Sequence, residues 1–343
     1  MKQREEGCRR EHFSGIIGWD ALMKYGFYDR LKAEFPSQFI VDVTERCNLA
    51  CIHCGHPSFR RSRYYGGRSL NPDLNAKLVD EVRHHGQEVT QYIRYSASGE
   101  PFLHPHLCEM LLYAVERSGV TVTLTTNGTL MNEKRIEELL LTGVDLIDIS
   151  IDAYMPDTYA NIRVHGDLSV TRRNVLRLLR KVKEDSVRTK VVVSYVEQPQ
   201  NAHETKDFEA FWKNSGAYAV VVRRRHSNAG AVKGIADLMR EEGAGDVRRP
   251  CLYLWERMVL NPRGYLAFCP ADWTHGSTIL DYRTTTIYET WQGEFYQSLR
   301  EAHLTNQYAH HRFCGQCPDW KAMRWPTEGS SYADMIEELN VTE

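Results

Sequence analysis

From Gln38 onward the chain alternates short apolar runs with longer amphipathic stretches. The runs at 39–43, 91–96, 120–125, 146–151, 191–196 and 217–222 have the length and composition of buried strands. The stretches between them carry helix punctuation. Asn71 and Pro72 open one that Gly86 closes, and Asn132 opens another that Gly143 closes, with Ile136, Leu139 and Leu140 on its buried face. Six such units predict an α/β fold with a parallel sheet and right-handed crossovers over 38–228. Ahead of them, Leu22, Met23, Phe27, Leu31 and Phe35 recur at near-helical spacing, so 1–37 reads as a helical lead-in. After about Arg225 the alternation fails, and Gly, Asp and Arg become frequent through Arg249. A smaller unit is expected over 229–325, with a hairpin of Arg257–Leu260 and 265–269, a helix over 287–303, and a closing helix at 332–339 within 326–343.

Composition changes this picture little. At 343 residues the chain can bury one large core and a small appended one. Its net charge of −2 offers no general field for nucleic acid or anionic membrane. The charged start, residues 1–11, lacks the apolar core of a signal peptide, and no stretch approaches the roughly 18 apolar residues of a membrane span. A cytoplasmic protein is expected. There, nine cysteines are better read as metal ligands or reduced thiols than as disulfides.

Three of them, Cys47, Cys51 and Cys54, lie in Thr-Glu-Arg-Cys-Asn-Leu-Ala-Cys-Ile-His-Cys, directly after the first expected strand. Three thiolates on one short loop can hold three irons of a four-iron cluster and leave the fourth open to a ligand that is not protein. Zinc with His53 or His56 as fourth ligand, or three incidental core thiols, are the alternative readings. The Cys-x3-Cys-x2-Cys loop after a first strand resembles the signature of the radical S-adenosylmethionine (SAM) superfamily. That resemblance implies a partial (β/α)6 TIM-like barrel whose open iron binds SAM and whose cluster cleaves it to a 5′-deoxyadenosyl radical.

Further motifs fit the same resemblance. Ser98-Gly99-Glu100-Pro101 is similar to the family's Gly-Gly-Glu segment, with Ser in place of the first Gly, and implies Glu100 as a partner for the SAM ammonium. Thr125-Thr126-Asn127-Gly128 and Ser150-Ile151-Asp152 end the third and fourth expected strands, where α/β barrels place ligands. By resemblance, Thr125, Asn127, Ser150 and Asp152 border SAM, Arg163 pairs with its carboxylate, and His53 lies beside its adenine. The family's adenine motif on the fifth strand has no copy in 192–198.

Cys251, Cys269, Cys314 and Cys317 are separated by 17, 44 and 2 residues. By spacing alone they suit a zinc ion or a fully ligated 4Fe-4S cluster equally. Their setting, Pro-Cys-Leu-Tyr-Leu-Trp, then Cys-Pro-Ala-Asp, then Trp291-Gln292-Gly293, then Cys-Gly-Gln-Cys, is similar to the SPASM and twitch domains of radical SAM enzymes. Four cysteines match the shorter twitch form and imply one auxiliary cluster, hence two 4Fe-4S clusters in all.

A cluster without an open iron can take an electron from a substrate radical but cannot bind substrate. That predicts oxidation of a secondary alcohol, with one base to remove a proton. Asp272, three residues after Cys269, and Glu197, at the end of the fifth strand, are the candidate bases. Arg223 and Arg225 are candidates to hold an anionic group of the substrate. A sugar, sugar nucleotide or aminocyclitol is expected, with flavodoxin or ferredoxin as electron donor. Epimerisation, with Cys8 or Cys108 as hydrogen donor, ranks lower. So does peptide maturation, because 37 residues are too few for a leader-binding domain. A zinc-stabilised binding module is the reading without catalysis.

Overall fold

The computed structural model describes residues 34–96, 98–242 and 248–321; most of the expected lead-in, Cys8 and the expected helix at 332–339 lie outside the described residues. Nine strands form one sheet in the order β6-β5-β4-β3-β2-β1-β7-β8-β9. The first six are β1 (Gln38–Asp42), β2 (Tyr92–Ser96), β3 (Thr121–Thr126), β4 (Leu146–Ser150), β5 (Lys190–Glu197) and β6 (Ala219–Arg224), each parallel to the next. Each lies within two residues of its expected start. Because sequential strands step in one direction without reversal, their crossover helices all cover one face. The sheet stays open, as a partial barrel does.

Alternation along the strands sorts side chains between the two faces. The outer set, including Val41, Ile93, Leu124, Ile149 and Val193, joins the helices in the main core. The inner set is sparse in apolar residues: Tyr92, Leu146 and Val192 form one small cluster, and Ile40, Val259 and Ala267 another. The rest of the inner face is left to polar groups, which is where the site lies.

Helix starts follow the sequence. The Asn71 side chain accepts from Asp73 N, and the Asn132 side chain from Arg135 N. The helix from Pro72 ends at Gly86 as expected, its last turn, Val82–Gly86, being a wider π turn, whereas the expected helix 287–303 is two, Ile287–Gln292 and Glu294–Thr305. Gly293 breaks it with extended backbone (ψ 159°), where a Cβ would approach Glu289 O to 2.9 Å.

The appended unit does not stand apart. Strand β7 (Arg257–Leu260) pairs parallel with β1, Gln38 opposite Arg257, and β8 (Tyr265–Ala267) and β9 (Thr278–Asp281) follow antiparallel. The exposed edge of β1 is thus covered by the chain's own later strands. Among the described residues no helix is long and apolar enough to cross a membrane.

Candidate active site

The loop after β1 carries Cys47, Cys51 and Cys54 and is stitched to two neighbours. Ala50 N and Ile52 N donate to Val164 O and Ile162 O, both at 3.0 Å. On its other side Gly99 N donates to Thr44 O (3.0 Å) and Glu100 N to Arg46 O (2.7 Å). The crossing is so close that a Cβ on Gly99 would lie 1.7 Å from Arg46 O, so only glycine fits. Each thiol receives one N–H: Leu49 N to Cys47 Sγ (3.5 Å), Arg163 Nη1 to Cys51 Sγ (3.6 Å) and His56 N to Cys54 Sγ (3.4 Å).

Burial pushes the Cys47 and Cys54 thiols up to about 12, and the charge of Cys51 adds to both. A bound cation reverses that cost. Three clustered, donor-supported thiols with no fourth protein ligand fit a four-iron cluster with one open iron. Of the two histidines on the loop, His56 Nε2 bonds Glu45 O at 2.9 Å, and His53 Nε2 faces Asp152 at 3.4 Å.

Cys251, Cys269, Cys314 and Cys317 come together under the appended hairpin. Burial raises all four, and the Cys251 thiol is raised further by Cys314 and Cys317, the Cys269 thiol by Cys251 and Cys317, and the Cys314 thiol by Cys269 and Cys317. Four thiols on these segments are enough in number for one fully ligated cluster. Among the described residues no group of three or more His, Cys, Asp or Glu has the closeness a single metal ion needs.

At the barrel rim Glu100 and Arg163 both have protein partners. Glu100 does not present a free carboxylate: Oε1 accepts from Thr126 Oγ1 (2.6 Å) and Phe102 N (3.2 Å), and Oε2 from Asn127 N (2.8 Å). It fixes the turn after β3. Arg163 is likewise engaged, its Nη2 2.6 Å from buried Asp152 Oδ2. Asp152 sits in left-handed backbone (φ 67°) and its Oδ1 accepts from Val196 N, so one carboxylate ties β4, β5 and the cysteine loop. Burial pushes His53 down to about 4, so its imidazole is neutral, with Nδ1 3.5 Å from Gln198 Nε2. Asn127 clamps the cysteine loop through Asn48 (3.0 Å), and Ser150 is half-buried at the end of β4. The Ser98 amide and hydroxyl both donate to Asp42.

Inside the barrel a polar ladder runs across five strands. Arg94 Nε donates to Thr125 Oγ1 (3.0 Å) and its Nη2 lies 3.5 Å from Asp148 Oδ2; Arg223 Nη2 donates to the same oxygen at 2.7 Å, and Ser194 Oγ donates to Oδ1. Arg223 thus points inward as expected, while Arg225 lies half-buried beyond the end of β6. Sequence reasoning missed Arg94 and Asp148. Their signal was a charge in the middle of an apolar strand run, Tyr-Ile-Arg-Tyr-Ser and Leu-Ile-Asp-Ile-Ser.

Both expected bases accept hydrogen bonds from their surroundings. Glu197 is exposed, in the outward phase of β5, and accepts from Thr205 Oγ1 at 2.9 Å. Asp272 holds its own loop: Oδ1 accepts from Thr274 N, Thr274 Oγ1 and Gly276 N, and Oδ2 from Ser277 N and Ser277 Oγ. The missed carboxylate is Asp42, at the inner end of β1. Among the described residues it accepts two bonds, both from Ser98, and burial pushes it up to about 7. A cavity of about 30 Å3 joins Asp42, Ser98, Cys269, Asp272 and His275, between the cysteine loop and the appended hairpin.

Comparison with known proteins agrees with this geometry. Residues 41–211 match the family model described as the radical SAM superfamily, and 251–318 match that of an iron-sulfur cluster-binding domain. A probable GTP 3′,8-cyclase of Methanococcus maripaludis is 30% identical over 147 residues, 43% of this chain and 46% of that protein, so the chain spans less than half the relative's length. The structure of SuiB from Streptococcus suis, bound to precursor peptide SuiA, has a TM-score of 0.62 at 14% identity, covering 93% of this chain and 75% of that one. BtrN in complex with AdoMet and 2-DOIA has a TM-score of 0.54 at 16% identity, covering 82% and 92%. At these identities the likeness is one of fold.

Proposed function

Because the chain belongs to the radical SAM superfamily and carries an iron-sulfur cluster-binding domain after its barrel, we propose that it oxidises a secondary alcohol of a sugar-, sugar-nucleotide- or aminocyclitol-type small molecule. Its cofactors are SAM and 4Fe-4S clusters, one held by Cys47, Cys51 and Cys54 and an auxiliary one by Cys251, Cys269, Cys314 and Cys317. When bound, they supply a carbon radical that takes a hydrogen atom from substrate and a sink for one electron. The observation that carries the reading is the presence of four cysteines, Cys251, Cys269, Cys314 and Cys317, in the segment that matches an iron-sulfur cluster-binding domain, enough to ligate an auxiliary cluster with no open iron and leave electron transfer as its use.

The chain's own residues divide the remaining work. Asp152, Arg163, Ser98, Asn127 and Ser150 border the SAM side of the barrel mouth. Arg94 and Arg223 face the interior and favour a substrate with an anionic or strongly polar group. A carboxylate oxygen of Asp42 takes the hydroxyl proton; with a folded-state value near 7, its basic form grows as pH rises through neutrality. Cys108 lies in the outer helix layer with Arg135, Glu138 and Glu109 around it, not at the barrel mouth, which supports oxidation over epimerisation by that thiol. A basic cleft of about 360 Å3 beside Cys317, with Arg240, Arg248 and Lys321, suits an acidic carrier such as flavodoxin or ferredoxin.

The test is anaerobic reconstitution followed by reduction with SAM and 2-deoxy-scyllo-inosamine, myo-inositol, UDP-glucose or a serine-containing peptide. A ketone formed with one equivalent of 5′-deoxyadenosine supports the reading. Deuterium uptake from heavy water without oxidation, or turnover of the peptide alone, overturns it.

A further inference from the structure

The loop that Asp272 holds together delivers one residue, Trp273, onto the other cysteine site. Trp273 is 8% exposed, and its ring packs against His56 and Phe59, with ring centroids 6.3 and 5.5 Å away. The edge that faces the cysteine loop is the pyrrole edge. A Cβ built on Gly55, the residue after Cys54, would meet Trp273 Nε1 at 2.4 Å, Cε2 at 2.5 Å and Cδ1 at 2.6 Å. Only glycine at position 55 leaves room for the indole there. At that position Nε1 is fully buried and has no hydrogen-bond acceptor among the described residues. A buried donor without an acceptor is unfavourable, and native structures rarely keep one without a use.

The nearby acceptors that a loaded site would provide are the sulfurs of its cluster. Each thiol of the loop already receives a single N–H, from Leu49, Arg163 or His56. We propose that the indole N–H of Trp273, carried by the appended hairpin, donates a hydrogen bond to the sulfur shell of the cluster held by Cys47, Cys51 and Cys54 and raises its reduction potential. A donor at sulfur favours the reduced, more negative cluster over the oxidised one, so the auxiliary unit tunes the centre that starts the chemistry. Trp273 is covered by the same hairpin loop that begins at Cys269, and so reports to one cluster the placement of the loop that binds the other.

This rests on the family assignment and not on the alcohol-oxidation reading, and its test needs no substrate. In reconstituted full-length protein, the cluster whose electron-paramagnetic-resonance signal changes on adding SAM identifies the first site. Redox titration of that signal in Trp273→Phe should show its reduction equilibrium weakened about tenfold, a potential lower by about 59 mV for one electron. Gly55→Ala, which pushes the ring away, should shift it in the same direction. An unchanged potential in fully loaded Trp273→Phe, or a shift confined to the SAM-insensitive signal, overturns the proposal. Where the variant does not load, wild-type protein labelled with 15N-indole tryptophan decides. Its reduced, SAM-sensitive cluster should show a 15N hyperfine coupling, and absence of that coupling refutes the bond.

Discussion

Cys47, Cys51 and Cys54 come from one loop, whereas Cys251, Cys269, Cys314 and Cys317 come from segments that only the folded chain brings together. The first site is local in its ligands but not in its support. Its loop is bonded to Ile162 and Val164 on one side and to Gly99 and Glu100 on the other. The second is the reverse: its ligands are distant in sequence, and its hairpin gains its footing by adding strands beside β1. A site with local ligands can lose one and leave the fold intact, while a site assembled from distant segments is itself part of what closes the fold.

The sharpest way to break the comparison is to remove one ligand from each. Cys51→Ala should abolish SAM cleavage and leave roughly half the iron, since each site holds four irons, with melting temperature little changed by calorimetry. Cys314→Ala should lower the melting temperature clearly, because Cys314 is buried in the main core as well as a ligand. Equal thermal losses from the two would end the distinction.

Gly99→Ala comes next. The added Cβ at 1.7 Å from Arg46 O forces the crossing loops apart, at a cost on the order of 3 kcal/mol in denaturant unfolding together with loss of SAM binding. Asp42→Asn keeps the size of the side chain and should reduce ketone formation about 100-fold while deuterium transfer from substrate to 5′-deoxyadenosine continues. In the parent protein oxidation should rise with pH through about 7, as the raised Asp42 carboxyl loses its proton, and the variant's pH profile should lack that limb. The smallest effect is expected from Glu197→Gln. An exposed carboxylate with one hydroxyl partner should change stability by less than about 0.5 kcal/mol and leave activity intact; a large loss would restore it as a base.

The six parallel strands and the first cysteine set could be read from the chain because their signals are short-range, namely apolar runs, helix caps and thiols a few residues apart, whereas the second set was read from its resemblance to known domains. The continuity of the sheet was not legible, since the pairing of Gln38 with Arg257 has no local trace. Nor were the partners of the polar side chains. Glu100 and Asp272 have the residue type that acid–base chemistry needs, and the structure uses up their oxygens on backbone and hydroxyl donors. Asp42 looked like an ordinary residue at a strand end, and only the packing of Ser98 and the appended hairpin around it makes it a buried acid.

Residue identity and spacing by themselves determined which elements form and which atoms can bind iron, because those properties depend on neighbours a few bonds away. The tertiary structure alone decided which carboxylates remain available, which arginines face inward, and that Trp273 lies against Gly55. Those outcomes depend on burial and on competition for hydrogen-bond partners, and the winners range from Thr274 beside Asp272 to Gly55 against Trp273, a choice that spacing in the sequence does not rank.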